Sequence, residues 1–189
     1  MSRRILTGIT TTGIPHIGNY FGAIKPALQL SSEKNVSSYF FLADLHAIIK
    51  QTNPDEIKVS VNEVALAWLS SGLDPEKSFF YRQSNIPEIT ELAWILSCVT
   101  AKGLINRSHA YKAAVQLNHD HTKDEDKGIS MGLFSYPVLM AADILMFNSS
   151  HVPVGKDQLQ HLEITRDIAE KFNHQYGNTF VIPEAIINK

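Results

Sequence analysis

RILTGITTTGIPHIGN, residues 4–19, is the stretch on which the fold class turns. Arg4 to Ile9 has the composition of a short strand. Thr10-Thr11-Thr12-Gly13 breaks it with small hydroxyl residues and a glycine. Ile17, Tyr20, Phe21, Ile24 and Leu28 then recur at helical spacing, which predicts a helix starting near His16. Pro26 falls inside that pattern and is expected to kink or shorten the helix. A strand that passes through such a turn into a helix leaves free backbone N–H groups at the helix start, with the helix dipole behind them. Anions, phosphate among them, are attracted to that place. Gly18 has no Cβ, so a flat base could lie against the helix there. His16 and Asn19, three apart, would share one helix face and donate to phosphate oxygens. The plainer alternative is an ordinary strand–helix connection carrying a surface histidine. The segment is neither a G-x-x-x-x-G-K-[ST] loop nor a G-x-G-x-x-G turn.

Working outward, Tyr39-Phe40-Phe41-Leu42-Ala43 is a continuous apolar run, as a strand buried on both faces would be. Asn53-Pro54-Asp55-Glu56 is a helix start, with a capping side chain, a proline in the first turn and acids near the positive end. Ile57, Val61, Val64, Ala65 and Trp68 form that helix's buried stripe, and Gly72 stops it. Ser78 to Arg82 reads as a third strand, and 87–117 as helical. Asn118 to Gly128, NHDHTKDEDKG, is polar enough to be a mobile surface loop. Helix is predicted again over 137–147, a short strand over 151–154 and a last helix over 158–173. Strands alternating with helices argue for an α/β fold, a doubly wound parallel sheet with helices on both faces. Such sheets bind ligands at the carboxyl ends of their strands, near a switch in strand order.

Bulk composition narrows the class. The 189 residues are 44% hydrophobic and 19% charged, enough for one domain with a real core. With 17 Lys and Arg against 19 Asp and Glu the formal net charge is −2, so no basic field advertises a nucleic-acid surface. Cys98 is the single cysteine, which excludes an intrachain disulfide and fits a reducing, cytoplasmic setting. No apolar run approaches the roughly 20 residues that span a bilayer, and no signal-peptide core follows Arg3-Arg4.

Two further stretches carry chemistry. In GLFSYPVLMAADILMF, residues 132–147, Asp143 sits alone among apolar residues, where an unpaired carboxylate would be costly. Tyr136, Met140 and Asp143 lie at i, i+4 and i+7, on one helix face. That face offers an aromatic ring, a polarisable sulfur and an acceptor-only anion. An indole asks for that set, since its rings need apolar contact and its only donor is the ring N–H. The alternative is that Asp143 is paired within the core. In VPVGKDQLQHLEITRDIAEKFN, residues 152–173, a β-branched strand leads to Gly155 and a helix. Gly155 permits a ligand to approach the backbone, Asp157 can take ribose hydroxyls, and Gln158 can point back toward a bound amino acid. A Gly-Lys-Asp turn that merely caps a helix is the alternative.

These residues carry a family resemblance over essentially the whole chain. His16-Ile17-Gly18-Asn19 resembles the His-Ile-Gly-His signature of class I aminoacyl-tRNA synthetases, with asparagine in the last place as in tryptophanyl members. Tyr-Pro-x-Leu-Met-Ala-Ala-Asp-Ile-Leu, from Tyr136 to Leu145, resembles their amino-acid specificity segment, and V-P-V-G-x-D-Q-x-Q-H-x-E-x-T-R-D is its most specific stretch. The resemblance implies a Rossmann-like sheet with a helical insertion at about 85–130. It implies that His16, Asn19 and Lys112 serve catalysis. It puts ATP against Thr10, Thr11, Thr12, His16, Gly18, Asn19, Gly155, Lys156 and Asp157, with Mg²⁺ carried on the ATP phosphates and no protein metal site. It puts tryptophan against Asp143, Tyr136, Met140, His46, Gln158, Gly8, Val152 and Val154. ADLHAI, residues 43–48, resembles the segment whose histidine lines the tryptophan pocket, a satisfied core histidine being the alternative for His46. Arg107 and Lys112 resemble positions that reach the ATP phosphates, exposed helix charges being the alternative. His119 and His121 lie beside acids, but four metal ligands at recognised spacing are missing, and a solvated loop fits them better.

The implied reaction is tryptophan–tRNA ligation by a cytoplasmic homodimer that pairs through the helical insertion, with L-tryptophan, ATP and tRNA(Trp) as partners and no membrane. The family usually has Gln-Pro-Ser/Thr where this chain has Thr10-Thr11-Thr12, so the ATP contact there is expected to pass to the backbone. The lysine-bearing Lys-Met-Ser-Lys-Ser loop and the anticodon domain follow later in the family than residue 189. The expectation is therefore a stretch that binds substrates and activates them poorly. A small nucleotidyltransferase with the same phosphate turn, and a non-catalytic tryptophan sensor, are the competing readings.

Overall fold

The computed structural model describes residues 3–121, 124–155 and 158–187. Its sheet has five parallel strands, β1 (Arg3–Thr10), β2 (Val36–Ala43), β3 (Phe79–Arg82), β4 (His151–Val154) and β5 (Glu184–Ile187), in the spatial order β3-β2-β1-β4-β5. The chain moves outward from β1 to β3, then returns to the other side of β1 for β4, so the switch in strand order lies between β1 and β4. The predicted doubly wound α/β sheet is thus present. β5 is a strand the sequence did not announce. It is a largely exposed edge strand, without the apolar alternation that marks a half-buried one.

Helices cover both faces. On one, α2 (Lys25–Ser31), the π-helical turn before it and α4 (Pro54–Ser70) pack Ile24, Ala27, Val61, Val64 and the fully buried Trp68 against Ile9, Phe40 and Leu42 of β1 and β2. On the other, α8 (Met131–Met146) and α9 (Leu159–Tyr176) bring Ile144 and Leu162 onto Leu6, Phe41, Val152 and Val154. A further core joins α5 (Glu88–Val99), α8 and α9 through Ile89, Leu96, Val138, Ala141, Ile164 and Ile168. Burying these apolar faces is the main stabilising term.

Several local readings are corrected. Pro26 does not shorten the first helix. Helix runs from α1 (Ile17–Asn19) through a π-helical turn at Tyr20–Ile24 into α2, where Pro26 falls in the first turn. The N–H of Lys25 bonds back to the Tyr20 carbonyl, so the π turn spends the extra residue just before the position that has no N–H to give. Helix α8 starts six residues before Pro137, capped by the Ser130 hydroxyl, which accepts from the Leu133 N–H at 3.1 Å. Pro137 sits buried inside it, since packing against α5 and α9 outweighs one lost backbone bond. The polar segment from Asn118 is not simply loop. Helix α7 (His109–Asp120) runs into it, and the Asn118 carboxamide donates to the Glu125 and Lys127 carbonyls at 2.8 and 2.9 Å. α6 (Lys102–Ile105) is a single turn between α5 and α7. A short helix, α3 (Asp44–Ala47), follows β2, and a 3₁₀ turn, Gln83–Asn85, follows β3.

Candidate active site at the carboxyl ends of the strands

A cavity of about 870 Å³ opens where β1, β2 and β4 end, beside the switch in strand order. Its floor is β1 from Leu6 to Thr10. Ala43 and His46 close one side, Val152 to Gly155 the other, and α8 supplies Tyr136, Met140, Asp143 and Ile144. All eight residues assigned to tryptophan, Gly8, His46, Tyr136, Met140, Asp143, Val152, Val154 and Gln158, line it.

Asp143 is fully buried, yet it is not alone. The Nε2 of His46 lies 2.9 Å from its Oδ2, and the carboxamide of Gln83 donates to its Oδ1 and Oδ2 at 2.8 and 3.0 Å. An ionised carboxylate only accepts, so the His46 Nε2 carries the proton of that contact. Both alternatives in the sequence reading therefore hold in part: Asp143 is paired within the core and also lines the cavity. Burial pushes its carboxyl above the usual carboxylate range, against the pull of the His46 and Gln83 hydrogen bonds. His46 likewise does both things, lining the cavity and bonding to Asp143.

Gln83 was not a candidate. In the sequence it reads as a turn residue after the third strand. Its only signal is an amide side chain at the carboxyl end of a parallel strand, where ligand sites gather. His161 was also missed. It lies on α9, lines the cavity, and its Nε2 is 2.7 Å from the Tyr136 hydroxyl. Burial raises the Tyr136 phenol above its ordinary range.

The turn after β1 holds part of the predicted phosphate site. Thr10, Thr12, His16 and Asn19 line the cavity. His16 is the cap of α1 rather than a residue on its face. Its Nδ1 accepts from the Gly18 N–H at 3.1 Å, and its own N–H donates to the Asn19 Oδ1 at 2.9 Å. These bonds leave the His16 Nε2–H and the Asn19 amide group as donors for an anion. Four of the residues expected near ATP do not line the cavity. Thr11 is fully buried with an unpartnered hydroxyl and does not reach the cavity. Gly18 is not on the cavity wall either, and the His16 ring lies 2.8 Å from where a Cβ on Gly18 would stand. Lys112 is exposed and away from the cavity. Ala110, two residues earlier on α7, faces it, and two residues turn a helix by about 200°. Arg107, in the turn before α7, is also outside the cavity. Its carbonyl accepts from Gln160, which also accepts from the His109 N–H. Gly155 lines the cavity, whereas Lys156 and Asp157 lie outside the described residues.

Residues 2–189 match the family described as tRNA synthetases class I (W and Y). The chain belongs to this family. It is 61% identical over 188 residues to the tryptophan–tRNA ligase of Bordetella pertussis, covering 99% of this chain and 42% of that protein. The crystal structure of Campylobacter jejuni tryptophanyl-tRNA synthetase complexed with ADP and tryptophan superposes with a TM-score of 0.87 at 47% identity, over 98% of this chain and 55% of that one. A tyrosyl-tRNA synthetase from Archaeoglobus fulgidus, complexed with L-tyrosine, shares the fold with a TM-score of 0.76 at 17% identity, over 98% of this chain and 54% of that one. The chain thus spans less than half the length of the curated relative and about half that of the solved ones. Among described residues, no helix is long and apolar enough to cross a membrane.

Proposed function

We propose that this chain carries the amino-acid- and ATP-binding part of a tryptophan–tRNA ligase. In the reaction, the tryptophan carboxylate attacks the α-phosphorus of ATP. A carboxyl oxygen–phosphorus bond forms, the bond from the α-phosphorus to the bridging oxygen breaks, and pyrophosphate leaves. The adenylate is then passed to tRNA(Trp). Positioning and charge stabilisation supply the catalysis, and no protein nucleophile is required. One observation carries the reading. Tyr136, Met140 and Asp143 present an apolar surface and one buried acceptor to a cavity that also reaches the turn holding His16 and Asn19.

In this reading the indole lies against Gly8, Met140, Val152 and Val154, with its N–H on Asp143. Tyr136 and Gln158 take the amino group. ATP lies toward Thr10, Thr12, His16, Asn19 and Gly155, with Lys156 and Asp157 following. Asp143 is the one carboxylate on the cavity wall among the described residues, and in this reading it takes the indole, so Mg²⁺ would be held by the ATP phosphates. A cytoplasmic location goes with this reaction. We read 85–130 as an insertion in the Rossmann unit and as the face by which two copies pair, supported by the exposed Trp94 and Ile95 on α5. Sedimentation of the purified chain separates one copy from two.

The test is the dissociation constant for three ligands, in wild type and Asp143→Asn. Phenylalanine and the benzothiophene analogue of tryptophan both lack the N–H and should bind far more weakly. Sites built around such a bond reject analogues without it by roughly 10⁴–10⁵-fold. Asp143→Asn should weaken tryptophan only partly, through its remaining carbonyl acceptor, and narrow its margin over the sulfur analogue. Equal affinity of wild type for tryptophan and the sulfur analogue would make Asp143 a core carboxylate and overturn the assignment.

A further inference from the structure

We propose that Gln83 is the positioning residue of the indole acceptor, a carboxamide anchored on the Leu45 N–H that aims the Asp143 carboxylate into the cavity. The inference rests on the reading that Asp143 receives the indole N–H.

Gln83 is fully buried and both ends of its side chain are used. Its Oε1 accepts from the Leu45 N–H at 3.1 Å, while its Nε2 donates to both oxygens of Asp143. The backbone N–H can only donate, so the atom facing it must be the oxygen. The orientation of the amide is thereby decided by chemistry, and the NH₂ must face Asp143. His46 meets Oδ2 from α3 while Gln83 comes from the turn after β3, so two separate elements fix the plane of the carboxylate. A carboxylate has about four lone-pair positions, which leaves acceptor capacity for a ligand on the cavity side. The other charged or titratable groups that act on or stand near this site are Asp44 on α3, Tyr81 on β3 and Tyr136 on α8. None of them donates a hydrogen bond to Asp143 among the described contacts. A carboxamide supplies an acceptor for Leu45 and a donor for Asp143 at once, without taking up a proton. A methionine of similar length supplies neither, and an ionised glutamate supplies the acceptor alone.

That difference gives a test a packing role would not pass. Gln83→Met should lose roughly tenfold or more in tryptophan affinity, the effect of removing a hydrogen bond to a charged group. Its margin over the benzothiophene analogue should shrink with it. Gln83→Glu keeps the size and the partner for Leu45 but sets two carboxyls together, which raises the affinity of the pair for one proton. As pH falls from 8 to 6 the introduced acid takes that proton, becomes a donor to Asp143, and should regain roughly tenfold in tryptophan affinity. The measurements are calorimetric titrations of the purified chain with both ligands at the two pH values. In the unmutated chain, the Gln83 carboxamide signals of a ¹H–¹⁵N spectrum should shift on adding tryptophan and stay in place with the sulfur analogue. That arm holds if either variant does not fold. Overturning results are an unchanged margin in Gln83→Met, pH-independent affinity in Gln83→Glu, or unmoved carboxamide signals. A wild type that does not distinguish the two ligands would instead remove the Asp143 reading, and it is seen before any variant is made.

Discussion

Gly8 of β1 and Gly18 of α1 each stand where a side chain would meet an aromatic ring. A Cβ at Gly8 would stand 2.3 Å from the Phe41 ring of the neighbouring strand, closer than any real contact. At Gly18 the obstacle is the His16 ring, which is also the ring that caps the helix through the Gly18 N–H. A side chain there would push the imidazole away and break that bond. Thr10, by contrast, lies open on the cavity wall. Gly18→Val should therefore weaken ATP roughly tenfold or more, while Thr10→Ala should cost no more than about threefold, the scale of one modest hydrogen bond. Calorimetric titration with ATP decides between them, and equal losses would mean that His16 does not face the nucleotide.

Elements meet at the site through an ion pair with a buried carboxylate. Asp44, the first residue of α3, accepts from the Ser84 N–H at 3.0 Å and from the Arg82 Nε, tying α3 to the end of β3 and its 3₁₀ turn. His46 and Gln83, the two partners of Asp143, sit on the pieces so joined. Burial works to raise the Asp44 carboxyl, but the hydrogen bonds from Ser84 and Arg82 outweigh it and hold it below the usual carboxylate range. A folded-state value below the unfolded one adds stability above the unfolded pKa, which is lost as pH falls through the folded value. Asp44→Asn should thus cost on the order of 1–2 kcal/mol at pH 7, at the lower end because Arg82 stays partly in solvent. The gap should close below about pH 4. Urea unfolding of both proteins at pH 7 and pH 3 measures it, and an undiminished gap at pH 3 would make the effect one of packing. Asp143, shifted upward, acts with the opposite sign, so the difference between the two proteins is informative where either pH curve alone is not.

At the scale of the molecule, the distribution of charge around the cavity matters most. Lys50 is the one lysine or arginine on its wall among the described residues. In the proposed reaction, the end of the cavity near His16 and Asn19 has few fixed cations among the described residues to stabilise departing pyrophosphate. Losing one preorganised donor to a developing charge commonly costs about 10²–10³ in rate. A polypeptide of these 189 residues should bind tryptophan yet catalyse tryptophan-dependent ATP–pyrophosphate exchange far below ordinary enzyme rates of roughly 1–10³ s⁻¹. Exchange at those rates would show that the charge present suffices.

Sequence alone determined what local periodicity and short motifs can encode. The β1–turn–helix start, the buried β2 run, the Asn53-capped α4, and the elements β4 and α9 were legible, because each depends on neighbours a few residues away. So was the face of α8, since positions i, i+4 and i+7 align wherever the helix lies. Tertiary structure decided which groups answer Asp143. Gln83 stands 60 residues from it and His46 stands 97, and no local pattern brings them together. It also decided the rotation of α7, which turns Ala110 inward and Lys112 out, the burial of Thr11, and the pairing of β5 on a largely exposed edge. Secondary structure follows from nearby backbone and side-chain sterics, whereas the partner of a buried charge follows from how distant elements pack, and the cost of leaving that charge unpaired is what selects the arrangement.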